Sequence, residues 1–189
     1  MSFSMQVKNE LVKTEYEKAC CKKSFFYGMC IFGKTFSAGS VSLQTENENI
    51  AELYKSLLKE LFNIHSIIKT SPKGRNITVS VAEANDAAKL FKSFGHEGAA
   101  SLKVNHSNFD CESCVNSFVA GAFLSCGTIS TPEKDYHLEF TVPYLNLSKS
   151  LLTLIEEMDL NPKYTYRHGY NVVYFKESEA IEDCLYLMG

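Results

Sequence analysis

The sequence predicts an α+β fold made of two copies of one α-β-β-α-β-β-α unit, related by a pseudo-twofold axis. The tetrapeptide KSLL at residues 55–58 returns at residues 149–152, a shift of 94. At nearly the same offset, Gly28 falls on Gly121 and Gly33 falls on Gly127. Residues 77–81 overlay residues 171–175 in the same way. Several landmarks in one order at one offset indicate an internal duplication.

Composition places the chain among globular proteins. Its 189 residues are 45% hydrophobic, enough for one domain with a substantial core. No apolar run approaches the roughly 20 residues of a membrane helix and no signal peptide is evident, so we expect a cytoplasmic protein with no membrane partner. The seven cysteines favour reduced thiols over a disulfide framework. A net charge of −3 argues against a protein that simply coats nucleic acid but allows a local basic surface.

Hydrophobic periodicity assigns the elements of the first repeat, about residues 16–95. A helix capped by Ser4, at about residues 4–14, precedes the repeat. The stretch from Phe25 onward is almost wholly apolar, which predicts a helix buried on all sides. Farther along the chain, segments with apolar residues at helical spacing alternate with short segments typical of strands, which are bounded by turn residues. The predicted order is helix 16–32, strands 35–37 and 40–45, helix 47–62, strands 65–70 and 76–81, and helix 83–94.

The second repeat, about residues 111–189, follows the same order. A linker at residues 96–110, rich in turn-forming residues, joins it to the first. The predicted elements are helix 111–125, a hairpin with return strand 136–142, helix 144–158, strands 163–167 and 170–176, and helix 179–188.

The second repeat opens with a helix suited to close packing. Residues 119–127 read VAGAFLSCG, and the small residues Ala120 and Gly121 allow two helix backbones to approach. We therefore expect a helix pair on the pseudo-twofold axis, with Gly28, Ala120, Gly121 and Gly127 at the contact. This stretch resembles the LAGLIDADG motif of homing endonucleases, and residues 26–34 resemble a degenerate copy of it.

The resemblance also implies where catalysis would occur. In those nucleases the acid before the final glycine of each motif binds the divalent metals that activate water. Here Gly33 and Cys126 stand at those places, and neither supplies a carboxylate. We predict a nuclease fold without enzymatic activity, metal or cofactor. Cys126 as a catalytic thiol is a weaker alternative, because no base is fixed beside it.

Further stretches resemble the WhiA family of bacterial sporulation and cell-division regulators. They are residues 2–11 (SFSMQVKNEL), the Cys20-Cys21 pair, residues 121–130 (GAFLSCGTIS), 132–140 (PEKDYHLEF) and 172–176 (VVYFK). That family joins a degenerate LAGLIDADG-like domain to a C-terminal helix-turn-helix. The resemblance covers essentially all 189 residues, so it implies one domain of two repeats, without the helix-turn-helix, from a nucleoid-associated transcriptional regulator.

The resemblance implies a saddle-shaped sheet surface that faces DNA. At the shift of 94, Lys69 overlays Lys163 and Lys73 overlays Arg167. With Arg75 and His137 nearby, these side chains are candidates for contacting two phosphate tracks of one duplex. We predict weak, salt-sensitive DNA binding, with other transcription proteins as further partners. The alternatives are ordinary solvated charges on a protein-interaction module, or an active metal-dependent endonuclease.

Two other groups of residues have competing interpretations. Cys20-Cys21 and Cys111-x-x-Cys114 precede the two central helices, and four thiolates suit structural zinc. Adjacent cysteines are poor tetrahedral chelates, however, so buried thiols acting as small apolar residues are the favoured interpretation. The tyrosines of the last hairpin alternate along it, and we expect them to pack against the helices rather than stack on a partner. These are Tyr164, Tyr166, Tyr170 and Tyr174.

Overall fold

The computed structural model describes residues 1–189 and contains seven α-helices and two four-stranded antiparallel sheets. Helix α1 is Phe3–Val12. The first half then comprises α2 (Ala19–Ile31), β1 (Thr35–Phe36), β2 (Val41–Thr45), α3 (Glu48–Phe62), β3 (Ser66–Thr70), β4 (Ile77–Val81) and α4 (Ala84–Ser93). The second comprises α5 (Ser113–Cys126), β5 (Gly127–Ile129), β6 (Leu138–Val142), α6 (Leu145–Glu156), β7 (Lys163–Arg167), β8 (Tyr170–Phe175) and α7 (Ser178–Met188).

Both sheets have the same topology. Their strand orders are β1-β2-β4-β3 and β5-β6-β8-β7, and every pairing is antiparallel. Helices α3 and α6 pack on corresponding strands of the two sheets. This repetition confirms the duplicated α+β fold. None of the helices combines the length and apolarity required to cross a membrane.

Helices α2 and α5 pack against each other along the pseudo-twofold axis. A Cβ atom on Gly28 would lie 2.2 Å from the Phe118 carbonyl oxygen, and one on Gly121 would lie 1.9 Å from that of Phe25. Each glycine therefore touches the backbone of the opposite helix. Because Phe25 and Phe118 stand at the same offset as the two glycines, the contact is symmetric, and only residues without a side chain fit there.

Strand register divides each sheet into a core face and an open face. In the first sheet Val79 pairs with Leu43 and Ile68, and in the second Val173 pairs with Phe140 and Tyr164. Val79 and Val173 are fully buried beneath the helices. Because side chains alternate along a strand, the intervening residues form the opposite, open face.

Helix α1 lies outside the duplication and packs beside the axis. The prediction that Ser4 caps the helix is wrong. The Ser2 hydroxyl caps it instead, by accepting a hydrogen bond from the Met5 amide at 3.2 Å. Ser4 lies within the helix, and its hydroxyl accepts the Ile129 amide at 3.3 Å. Helix α1 is thereby joined to the first strand of the second sheet.

The connection between the halves is anchored to the core. His96 is buried, and its Nε2 lies 2.7 Å from the hydroxyl of Tyr27 on α2. The same hydroxyl accepts the Asn105 amide at 2.9 Å. Burial lowers the pKa of His96. The connecting segment, which includes the short 3-10 helix His106–Asn108, is thus packed on α2.

Candidate nucleic-acid interface

The open faces of the two sheets form a mostly polar surface built from regular strands. Strand pairing assigns seven residues to the first open face and nine to the second, and His137, just before β6, continues the alternation. Hydroxyl and amide groups predominate, with a few charges. The first set is Thr35, Ser42, Gln44, Ile67, Lys69, Thr78 and Ser80, and the second is Thr128, Glu139, Thr141, Lys163, Thr165, Arg167, Tyr170, Val172 and Tyr174.

The basic residues predicted to bind DNA in the first half form no ion pairs with acidic side chains. Lys69 is exposed on the open face of β3, opposite Thr78. Lys73 and Arg75 are exposed in the turn between β3 and β4, where Gly74 adopts a positive φ of 67°. None of the three cations forms a salt bridge. All three ammonium or guanidinium groups are therefore available to an anionic partner.

The predicted basic residues of the second half are paired with acids. Arg167 contacts both carboxylate oxygens of Glu139, at 3.0 and 2.9 Å, and His137 Nε2 lies 2.6 Å from Glu139 Oε2. Lys163 lies 3.8 Å from Glu177. Burial opposes ionisation of Glu139, but hydrogen bonds from His137 and Arg167 outweigh it and lower the pKa of this carboxyl. The second sheet is consequently less cationic than the first.

Strand pairing corrects the predicted superposition of these basic residues. Val79 and Val173 correspond at the shift of 94, but their partners Ile68 and Tyr164 correspond at 96. Lys69 is thus equivalent to Thr165, not to Lys163. The offset changes because the turns differ in length. The turn of the first half is residues 72–75, whereas that of the second half is only His168-Gly169, so Lys73 has no counterpart. Because the difference of two residues is even, Lys69 and Lys163 still share the open side.

A cavity of about 730 Å³ lies between the sheets at the ends of α2 and α5. Gly33 and Cys126 line it, which is the region where the LAGLIDADG resemblance places the catalytic acids. Glu46 is the single acidic residue of its wall, whereas Lys8 and Lys34 both contribute to it. The charged side chains of the wall therefore sum to one net positive charge.

Lys8 is the most unusual side chain of this cavity. Its ammonium donates to the Leu124 carbonyl oxygen at 3.3 Å and lies 5.6 Å from the ring centroid of Phe123. The carbonyl belongs to the last turn of α5, where a cation is favoured by the helix dipole. Burial lowers the pKa of Lys8 from 10.5 to about 8, although the nearby Cys126 opposes the shift.

The divalent metals of homing endonucleases do not fit these residues. A hard cation such as Mg²⁺ needs carboxylate or carbonyl oxygens at the axis. Gly33 offers no side chain, Cys126 offers sulfur, and the Lys8 ammonium beside Cys126 repels a cation. Burial also raises the pKa of the Cys126 thiol to about 12, so it is a neutral thiol and a poor nucleophile.

Sequence reasoning missed Lys8, although its position contained a signal. Ser4, Lys8 and Leu11 recur at helical spacing, and Leu11 is buried. A lysine on the packed side of a short helix indicates a side chain that reaches a specific acceptor. The acceptor itself, Leu124, is 116 residues away and was not predictable from this pattern.

The tyrosines of the last hairpin do not pack beneath the helices as expected. Tyr164, Tyr166 and Tyr170 are exposed, and Tyr166 keeps 67% of its surface accessible. Tyr170 lines the axial cavity. Only Tyr174 is stacked, on His137 at 5.7 Å between ring centroids, and that contact lies on the open face. Strand β7 is at the edge of its sheet, and the rings of the hairpin remain accessible there.

The structure brings together the two cysteine pairs that precede the central helices. The sulfur of Cys111 lies 3.7 Å from Cys20, 3.6 Å from Cys21 and 3.6 Å from Cys114. A hydrogen bond from Cys21 lowers the pKa of Cys111 to about 7, whereas burial raises that of Cys21 to about 12. All seven cysteines are free thiols.

Comparison with known proteins places this arrangement in one family. A family model for the WhiA LAGLIDADG-like domain matches residues 115–189. The crystal structure of the N-terminal LAGLIDADG domain of DUF199/WhiA superposes with a TM-score of 0.77 at 17% identity, covering 100% of this chain and 92% of that one. The probable cell division protein WhiA of Clostridium novyi is 36% identical over 205 residues, and that of Alkaliphilus metalliredigens is 31% identical over 205 residues.

This chain belongs to the WhiA family. It spans 65% of the length of these two curated WhiA relatives and is covered completely by the alignments. It also covers 62% of full-length DUF199/WhiA from Thermatoga maritima, with a TM-score of 0.75 at 18% identity. The chain thus has the fold of the LAGLIDADG portion of WhiA.

Homing endonucleases share the fold more distantly. The structure of I-DmoI in complex with DNA and Mn matches with a TM-score of 0.57 at 14% identity and covers 91% of this chain. I-WcaI bound to its DNA recognition sequence matches with the same TM-score and covers 95%. At these identities the similarity describes the fold, so WhiA function has to be argued from its own residues.

Proposed function

We propose that this chain is a DNA-binding domain of a WhiA-type regulator of transcription in sporulation and cell division, and that it has no nuclease activity. The axial cavity is the observation that carries the proposal. It has the place of a LAGLIDADG active site, yet Gly33 and Cys126 replace the acids and the Lys8 ammonium lies beside them. Such a cavity suits the attraction of a phosphate, not the binding of a divalent metal.

The open sheet faces supply the proposed DNA surface. Lys69, Lys73 and Arg75 present unpaired cations from the first half, and Lys34 is exposed between the sheets. On the second sheet Lys163 and Arg167 remain exposed but are partly neutralised by acids. A surface with so few free cations contacts few phosphates. We therefore expect weak binding that decreases with salt, with the modest slope that a small number of phosphate contacts gives.

The sequence-specific part of WhiA activity is proposed to lie outside this domain. Curated relatives carry the name probable cell division protein WhiA, and the present chain spans 65% of their length. The WhiA resemblance assigns base reading to a C-terminal helix-turn-helix. In that arrangement the LAGLIDADG-like domain adds non-specific phosphate contacts and increases the effective concentration of the reading module at DNA.

A protein-interaction role is the second candidate, because the exposed tyrosines favour it. Tyr164 and Tyr166 are exposed on the helix side of β7, and Tyr170 is exposed on the open side of β8; we call these three residues the aromatic rim. Tyrosine is enriched at protein interfaces, where it buries a large ring and keeps a polar hydroxyl. A transcription protein docked on this rim would not contact the cations of the first half.

An electrophoretic mobility shift on duplex DNA tests the DNA proposal. The variant Lys69→Glu/Lys73→Glu/Arg75→Glu should lose binding at low salt, because it reverses the three unpaired cations of the proposed surface. The matched control is Lys55→Glu/Lys59→Glu/Lys89→Glu, which changes the net charge equally on exposed helix positions away from the open face. The control should retain most of the binding.

Three outcomes would contradict this proposal. Equal loss in both triple variants would indicate a general charge effect, and no shift of wild-type protein at low salt would exclude DNA binding by this domain. Specific cleavage of plasmid DNA with Mg²⁺ or Mn²⁺ would contradict the claim of an inert nuclease fold. If wild-type protein gives no shift at low salt, loss of a transcription-protein contact in the Tyr166→Ala variant would instead support the interaction role.

A further inference from the structure

The four cysteines of the two pairs meet at the start of the central helices. Cys20 and Cys21 lie in the first turn of α2, Cys111 precedes α5, and Cys114 lies in the first turn of α5. Helices α2 and α5 run side by side in the same direction, because both their starts and their glycines are in contact. The cluster is therefore at the opposite end of the helix pair from the axial cavity.

The sulfur positions have the dimensions of a tetrathiolate metal site. The three distances from the Cys111 sulfur are 3.7, 3.6 and 3.6 Å, and all four sulfurs lie within 4.8 Å of one another. Four thiolates at about 2.3 Å from one zinc ion are about 3.8 Å apart along each edge of the tetrahedron. A disulfide requires sulfurs at about 2.05 Å, which none of these pairs approaches.

We propose that Cys20, Cys21, Cys111 and Cys114 together bind one structural zinc ion. Four thiolates in a tetrahedral set are the donors that zinc prefers, and they leave no open position for catalysis. The site would join the two halves of the duplication, since each half contributes two sulfurs. No other three of the remaining histidine, cysteine and acidic side chains form a comparable cluster.

The tertiary structure answers the objection that adjacent cysteines chelate poorly. Consecutive helical residues point about 100° apart, so Cys20 and Cys21 diverge around α2. Both sulfurs nevertheless reach Cys111, because the start of α5 lies between their directions. The second helix, not the spacing within the first, completes the ligand set.

The surroundings of the cluster also suit a bound ion. Cys21 and Cys114 are buried, whereas Cys20 and Cys111 are partly exposed, so the sulfurs are fixed by packing and still accessible to an entering metal. Two helices begin here, and the free amide groups at a helix start favour negative charge. The helix starts stabilise thiolates, and the packing holds the sulfurs in place for zinc.

Metal analysis of the whole 189-residue chain tests the zinc site. Protein produced with zinc in the medium and purified under reducing conditions should contain about one zinc ion per chain. The variant Cys111→Ser/Cys114→Ser should contain less than about a tenth of that amount, because two of four ligands are gone. Cys126→Ser, which changes a cysteine outside the cluster, is the matched control and should retain the ion.

Cobalt titration of the wild type keeps the proposal testable if the double variant fails to fold. Metal-depleted protein should bind one equivalent of Co²⁺, give the thiolate charge-transfer and ligand-field absorption of a tetrahedral tetrathiolate, and lose it when zinc is added. Removal of the metal should lower the Tm by about 10 °C or more.

The proposal is overturned by any of three results. The first is the absence of a tetrathiolate cobalt spectrum in folded, reduced protein. The second is a zinc content that is the same in the double variant and the wild type. The third is one iron ion per chain in place of zinc, or a disulfide among the four cysteines that persists in reduced, zinc-supplemented protein.

Discussion

Lys8 is the residue that most strongly supports the proposal of a domain without metal-dependent nuclease activity. Its ammonium satisfies the Leu124 carbonyl at the end of α5, one of the helix-terminal acceptors that have no partner within the helix. The interaction offsets only part of the desolvation of the charge, since the pKa of Lys8 falls to about 8. Retaining a poorly solvated cation here is unfavourable for stability, which is consistent with a role in attracting an anion.

Replacing Lys8 should therefore stabilise the fold near neutral pH. Lys8→Met keeps the packing of the stem and removes the charge, so the free energy of unfolding at about pH 7 should rise by about 1–2 kcal/mol after allowance for the lost hydrogen bond. Unfolded Lys8 titrates near 10.5 and folded Lys8 near about 8. Between these values the unfolded wild type binds more protons, so wild-type stability rises with pH and the advantage of the variant disappears.

Urea unfolding at about pH 7 and about pH 10 measures the effect of Lys8. Lys13→Met on the same helix is the control, because Lys13 is exposed and pairs only with Glu10 at 2.8 Å. A stability difference that is independent of pH would refute the desolvation of Lys8.

At the scale of elements, the α2 and α5 pair organises the molecule. The two helices are buried over most of their length, and their backbones touch where Gly28 and Gly121 lack side chains. Ser125 strengthens the far end of the pair by donating to the Met29 carbonyl at 2.8 Å. The sheets and outer helices are attached to this pair, so its close approach determines how the two open faces are arranged.

Gly121→Ala should destabilise the protein by about 3 kcal/mol or more, because the new Cβ would meet backbone atoms that cannot move aside. It would lie 1.9 Å from the Phe25 carbonyl oxygen and 3.1 Å from the Met29 nitrogen. Helix propensity alone predicts the opposite sign, a gain of about 1 kcal/mol. The sign of the change in unfolding free energy therefore decides between the two effects.

Gly39→Ala is the control for the glycine substitution. Nothing lies within 4 Å of a Cβ at that position, so its stability should change by less than about 0.5 kcal/mol. Chemical denaturation of both variants gives the comparison. If Gly121→Ala is as stable as the wild type, the helix backbones are not in contact at the axis.

At the scale of the whole molecule, the duplication has produced two unequal halves. The first sheet has three unpaired cations near its outer turn, whereas Glu139 neutralises Arg167 and His137 on the second. The shorter turn of the second half removes the counterpart of Lys73 as well. A duplex lying across both sheets would consequently be held more strongly by the first half.

This asymmetry predicts the effect of removing one acid. Glu139→Gln should tighten DNA binding by about 3- to 10-fold at low salt and steepen its salt dependence by about one phosphate contact, because Arg167 is released. Glu60→Gln is the matched control, since Glu60 pairs with Lys22 at 2.7 Å on the helical side. Fluorescence anisotropy over a salt series measures both. Equal effects of the two changes would place the DNA elsewhere than the open faces.

The sequence by itself determined the duplication, the element order and the helix pair, since these depend on local periodicity and on the offset between repeats. Strand Lys163–Arg167 was predicted at its observed bounds, and Gly28 and Gly121 were predicted at the axis where they lie. The resemblance to the LAGLIDADG motif also assigned Gly33 and Cys126 to the positions of catalytic acids, and residue type alone excludes a carboxylate there.

Only the tertiary structure decided which distant side chains meet. Lys8 reaches Leu124, Glu139 holds Arg167, and Cys111 meets Cys20 and Cys21. Each of these contacts joins residues brought together by packing of separate elements, so no local pattern encodes it. The pairing of β3 with β4 and of β7 with β8 also corrected a superposition that assumed one constant offset. Turn length can change where strand pairing and burial do not constrain it.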